Sequence, residues 1–62
     1  MTEDVAVECE VITETDEAYL IDGGDIKVWV PKKLVDDVDT DSRGRIDTIY
    51  MQEWFALKEG LI

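Results

Sequence analysis

Apolar and polar residues alternate along the amino-terminal part of the chain. Val5, Val7, Cys9 and Val11 recur at every second position between residues 4 and 12, which is the period of a strand with one buried face. The other face of this predicted strand carries Asp4, Ala6, Glu8 and Glu10. The pattern therefore predicts one long strand with an apolar side and a largely acidic side.

A glycine pair separates two further apolar segments. Residues 18–21 are apolar on both faces, and residues 26–30 alternate again. Gly23 and Gly24 tolerate the positive φ angles that a tight hairpin needs. We therefore predict a hairpin in which Trp29 faces away from the neighbouring valines. Trp29 is expected either to lie beneath the helix described below or to stay exposed beside lysines.

The second half of the chain changes its periodicity twice. Residues 31–35 begin with a proline and predict a short helical turn, residues 36–44 read as an acidic loop, and residues 45–50 as a strand. Residues 51–59 have helical spacing, with an apolar side expected to dock on the sheet. Gly60 is placed to end this helix in a left-handed conformation.

Together these elements predict a single domain over residues 1–62 of the α+β class. We expect about four antiparallel strands in a curled, small, open barrel-like sheet, with one short C-terminal helix. A helix of nine residues is not stable alone, so Trp54 and Phe55 are expected to anchor it to the sheet.

The charge is high and uneven. Sixteen acidic residues against six basic ones give a formal net charge of −10, and there is no histidine. Residues 1–41 carry 13 acids and 3 bases, whereas residues 42–62 carry 3 of each. Direct binding to a nucleic-acid backbone is therefore disfavoured, and a protein partner with a basic surface is expected.

The composition also argues against catalysis and metal binding. With one cysteine and no histidine, the chain cannot form a four-ligand Cys/His zinc site or a histidine-activated nucleophile. Asp37, Asp39 and Asp41 have the spacing that begins a calcium loop, but Ser42 and Thr48 replace its required glycine and glutamate. We expect no enzyme activity, no cofactor and no metal site. The absence of a long apolar run and of a basic leader predicts a cytoplasmic protein that does not enter a membrane.

Acidic side chains that could form a continuous negative surface are the main candidates for partner binding, and an exposed tryptophan would add an apolar anchor. These candidate contact residues are Glu8, Glu10, Asp37, Asp39, Asp41 and Trp29. The alternative is that the same acids only keep the sheet soluble.

Two segments carry a resemblance to a known group. Val28-Trp29-Val30-Pro31-Lys32, followed by Trp54-Phe55-Ala56 and Gly60-Leu61-Ile62, resembles small, mostly uncharacterised proteins encoded by bacteriophages and prophages. The chain departs from that pattern at Lys33, where serine is common, and at Gln52, where proline often begins the helix. The resemblance implies a phage setting and a shared fold, and it transfers no catalytic residue.

Three functions compete at this point. The first is a DNA-mimic inhibitor, similar to anti-CRISPR proteins, that occupies the basic surface of a host defence complex or nuclease. The second is an accessory module of phage replication or recombination that contacts nucleic acid or its enzymes through Lys27, Lys32 and Lys33. The third is a small structural homo-oligomer that pairs through an exposed edge or helix.

Overall fold

The fold comprises six strands, one 3₁₀ turn and one helix, in a computed structural model that describes residues 3–62. The strands are β1 (Asp4–Glu8), β2 (Glu10–Glu14), β3 (Ala18–Asp22), β4 (Lys27–Pro31), β5 (Val35–Thr40) and β6 (Ile46–Gln52). The 3₁₀ turn spans Lys32–Leu34, and helix α1 spans Glu53–Lys58.

The strands form two antiparallel three-stranded sheets, which we call sheet A and sheet B. Sheet A has the order β1-β6-β5 and sheet B the order β2-β3-β4. The expected α+β character is confirmed in coarse form, as a mostly sheet protein with one short C-terminal helix. The expected single curled barrel of about four strands is wrong, because the six strands are divided between two sheets that do not close.

The predicted first strand is divided at Cys9. Strand β1 pairs with β6, whereas β2 pairs with β3. At the division, the Cys9 backbone N–H donates to the Asp47 carbonyl over 3.1 Å. One continuous segment therefore belongs to both sheets and connects them.

The core lies between the two sheets and is closed by helix α1. Its predicted members are confirmed in part: Val7 is buried, while Val5, Cys9 and Val11 pack against the core and are partly buried. Burial raises the pKa of the Cys9 thiol, as expected of a packing residue. The buried side chains are Val7, Ile21, Val28, Val30, Ile49, Met51, Phe55 and Ala56.

The largest local error of the sequence prediction concerns residues 36–44. Most of this expected loop is strand β5, which pairs with β6 along its length. The pairing shifts between Val35 and Asp37, so Val35 and Val38 both pack against the core although they are three residues apart. A bulge at this position conceals the two-residue period of the strand.

The helix is shorter than predicted but ends as predicted. Met51 belongs to β6, and the helix begins at Glu53. Gly60 has a φ of 74°. The Leu61 N–H donates to the Ala56 carbonyl over 2.8 Å, and the Gly60 N–H donates to the Leu57 carbonyl over 3.2 Å. These two bonds form a Schellman motif, the usual glycine-dependent helix end.

Candidate protein-binding surface

The outer side of sheet A carries a concentration of acidic groups. In the sheet register, Asp4 pairs with Gln52 and Glu8 with Thr48. On the other side of β6, Asp37 pairs with Tyr50 and Asp39 with Thr48. Since paired residues point to the same side of a sheet, these acids share the face that points away from Val7 and Ile49.

We call this surface the acidic face, and it is formed by Asp4 and Glu8 of β1 with Asp36, Asp37 and Asp39 of β5. All five side chains are exposed. The three strands of sheet A contain no lysine or arginine. The face is therefore a negative surface whose own strands supply no compensating cation.

The acids lie along the two outer strands, and β6 separates them. Neighbouring strands are about 4.8 Å apart, so the backbones of β1 and β5 are separated by about 10 Å. The intervening strip consists of Thr48, Tyr50 and Gln52, which are all half-buried. The arrangement is two rows of negative charge on either side of a polar strip, and the rows meet at one end, where the Asp4 and Asp36 carboxyl groups are in contact.

Two contacts within the acidic face raise pKa values, those of Asp4 and Tyr50. Hydrogen bonding to the Asp36 carboxyl raises the pKa of Asp4, and the negative charge of Asp36 acts in the same direction. The Tyr50 hydroxyl donates to Asp39 Oδ2 over 2.7 Å. That bond and the charge of Asp39 raise the pKa of Tyr50.

The structure brings together only part of the predicted contact set. Glu8, Asp37 and Asp39 lie on the acidic face. Glu10 does not, because the division at Cys9 places it on β2, opposite Asp22 in sheet B. The expected row that joined Glu8 to Glu10 along one strand is therefore interrupted.

Asp41 has a local structural role. Its carboxylate accepts hydrogen bonds from the backbone N–H groups of Arg43 and Arg45, over 2.8 Å and 3.0 Å. These bonds hold the turn between β5 and β6. Asp37 and Asp39 lie on the strand before this turn, so the three aspartates do not form a calcium loop. Among residues 3–62, no three His, Cys, Asp or Glu side chains are arranged so that they could hold a metal ion together.

Trp29 lies on sheet B and is 50% exposed. Its cross-strand partner is Leu20, and both point away from buried Ile21 and Val28. The expectation that the helix covers Trp29 is wrong, because helix α1 contacts β1 and β6 of the other sheet. Trp29 and the acidic face therefore lie on the outer faces of different sheets, with the core between them.

The lysines of the alternative nucleic-acid surface lie at opposite ends of β4, with Lys27 at its start and Lys32 and Lys33 in the turn that follows it. Lys27 lies on β4, whereas Lys32 lies in the 3₁₀ turn and forms an ion pair with Glu14 over 2.6 Å. The Lys32 ammonium group also lies 4.8 Å from the centre of the Tyr19 ring. The hydrogen bond to Glu14 raises the pKa of Lys32. Lys32 therefore already has an ionic and an aromatic partner, both on sheet B.

Sequence reasoning missed Asp36, Tyr50 and Trp54 as members of the surface region. The sequence pattern predicts a loop at Asp36 and a docked position for Trp54. Phe55 and Ala56 dock instead, while Trp54 is 48% exposed. The useful signal was the apolar triplet of residues 54–56, which contains more apolar side chains than one side of a short helix can bury.

Comparison with protein-family models, curated proteins and solved structures finds no match to this chain. The resemblance to phage-encoded proteins therefore remains an expectation from the sequence. Within residues 3–62, the longest helix has six residues, and none has the length and apolar character needed to cross a membrane.

Proposed function

We propose that this protein acts by binding the basic, nucleic-acid-binding surface of another protein and thereby blocks that surface. The acidic face is the observation that carries the proposal, because five carboxyl groups lie on strands without a basic residue. Electrostatic complementarity of this kind accelerates association and selects a partner of opposite charge.

The arrangement of the acidic face also supports mimicry of nucleic acid. Its carboxyl groups lie on the two outer strands of sheet A, so the negative charge is presented in rows, as it is along phosphate backbones. A basic surface that neutralises phosphates would be attracted to this face by the same electrostatic forces. The proposed setting is a phage-infected bacterial cell, where such an inhibitor would act on a nuclease or defence complex.

The experiment compares two charge-matched double variants as baits in a bacterial lysate. One variant combines Glu8→Lys with Asp37→Lys on the acidic face, and leaves the Asp4–Asp36 and Tyr50–Asp39 contacts intact. The control combines Asp16→Lys with Asp25→Lys, which are exposed residues in turns outside sheet A. Captured proteins are identified by mass spectrometry and tested for displacement by duplex DNA.

We expect the wild type and the control to capture a nucleic-acid-binding protein that duplex DNA displaces, and the acidic-face variant to lose it. Circular dichroism verifies that both variants are folded. Equal capture by both variants would contradict the proposal, as would the absence of any DNA-displaceable partner.

A further inference from the structure

An exposed aromatic side chain adjoins one end of the acidic face. The Trp54 indole N–H donates to the side-chain oxygen of Gln52, and Gln52 is the cross-strand partner of Asp4. Trp54 is therefore connected to the central strip of sheet A at the end where Asp4 and Asp36 meet. Its ring also meets Phe55 edge to face, with 5.8 Å between the ring centres.

These two contacts orient the indole ring while about half of the Trp54 surface remains exposed. A side chain that is ordered before binding loses less conformational freedom when a partner covers it. Tryptophan is also among the residues most enriched at energetically dominant interface positions. Trp54 thus combines exposure, order and proximity to the acidic face.

Trp29 provides a natural comparison because its exposed fraction is nearly the same, 50% against 48%. It lies on the outer face of sheet B, next to Leu20. Among the side chains in residues 3–62, Trp29 has neither a hydrogen-bonded indole nor an aromatic neighbour like those of Trp54. A partner that covers the acidic face would contact Trp54 and leave Trp29 free.

We infer that Trp54 is the apolar anchor of the interface and occupies an apolar pocket within the basic surface of the partner. This inference rests on the proposed function and adds the requirement that the basic surface of the partner contains an apolar pocket. Leu57, three residues further along the same helix, is 58% exposed and extends the apolar contact, since residues three apart lie on one side of a helix.

The charge distribution favours this occupant over a second copy of the chain. Each molecule carries a net charge of −10, and a symmetric pairing through Trp54 would place two acidic faces near each other. Like charges across an interface are strongly unfavourable. A basic partner would instead compensate the acids that surround the tryptophan.

The test uses the DNA-displaceable protein from the capture experiment, purified, as the binding probe. Its affinity is measured by calorimetry for the wild type and for the Trp54→Ala, Trp29→Ala and Leu57→Ser variants, over a range of salt concentrations. We expect Trp54→Ala to weaken binding by at least about tenfold with an unchanged salt dependence. Trp29→Ala should change the affinity by less than about twofold, and Leu57→Ser should weaken it by an intermediate factor.

The outcomes separate the two proposals. If the acidic-face variant loses the partner but Trp54→Ala binds like Trp29→Ala, the anchor inference is wrong and the proposed function stands. If no DNA-displaceable partner exists, both are wrong. Sedimentation at two concentrations provides a further check: wild-type dimers that Trp54→Ala dissociates would assign this surface to self-association and overturn the anchor. Leu57→Ser keeps the inference testable if Trp54→Ala unfolds, since the Phe55 contact is then unaltered.

Discussion

At the scale of single residues, the most informative group is the pair formed by Asp4 and Asp36. Its two carboxyl groups come from opposite edges of sheet A and meet at the same end of the acidic face. Hydrogen bonding between them raises the pKa of Asp4, which means that the folded state favours the protonated form. The resulting stabilisation is present at low pH and is lost as the pH rises through the pKa of folded Asp4.

An Asp36→Asn variant should therefore be more stable than the wild type at pH 7. The amide removes the repulsion between two ionised carboxylates and can donate a hydrogen bond to Asp4. The gain should shrink near pH 3, because the raised pKa of Asp4 leaves that carboxyl protonated and able to donate to Asp36 in the wild type. Thermal melts at both pH values measure the effect.

Asp25→Asn serves as the control, because it removes one negative charge from an exposed turn outside sheet A. Any stabilisation that follows from lower net charge alone will be seen in both variants. Equal shifts of Tm in the two variants at pH 7 would show that the Asp4–Asp36 contact contributes nothing specific.

At the scale of elements, acidic side chains lie along an exposed edge of sheet A. Strand β5 is an edge strand of sheet A and contains three aspartates among its six residues. Exposed edges can pair with other chains, and charged side chains oppose this. These three aspartates, which are three of the five acids of the acidic face, therefore also make this edge unsuitable for self-association, which weakens the homo-oligomer hypothesis.

The end of helix α1 supports a second prediction. Gly60 has a φ of 74°, and a side chain in this left-handed conformation costs about 1–2 kcal/mol. Gly60→Ala should lower the free energy of unfolding by about that amount in a urea titration, with an unchanged slope. Gly60→Asn should lose less, because asparagine tolerates this conformation better. An alanine variant as stable as the wild type would mean that the helix end rearranges without cost.

How far the sequence predicts this structure depends on whether local periodicity survives in each element. Clean alternation identified the apolar face around Val7, and the position of Gly60 identified the helix end. The bulge before Asp37 disrupts the alternation of β5, so the sequence pattern predicts a loop where the structure has a strand. The division at Cys9 leaves the alternation intact, and for that reason only long-range pairing could reveal that Glu8 and Glu10 belong to different sheets.

At the scale of the whole molecule, the acidic side chains outnumber the basic ones that could neutralise them. The net charge is −10, and across residues 3–62 the ion pair between Lys32 and Glu14 is the one salt bridge within 4.0 Å. Self-repulsion of this kind destabilises the compact state. The acidic face concentrates part of that repulsion, so the proposed binding function carries a cost in stability.

Added salt should consequently raise the Tm. Between 0.01 M and 0.1 M salt the screening length falls from about 30 Å to about 10 Å, which removes repulsion between acids on different sheets. The Asp16→Lys/Asp25→Lys variant, whose net charge is four units less negative, should gain less from the same change. A Tm that does not respond to salt in the wild type would indicate that the acids are too far apart to repel measurably.

The continuity of β1 and β2 through Cys9 also couples the strand register of sheet A to that of sheet B. If β1 slipped by one residue along β6, the connected β2 would be pushed along β3 by the same step. Such a slip turns every side chain of a strand to the opposite face, so Val7 and Val11 would leave the core together. A register error in either sheet would therefore destabilise both sheets, so the correct strand pairing is determined by the two sheets together.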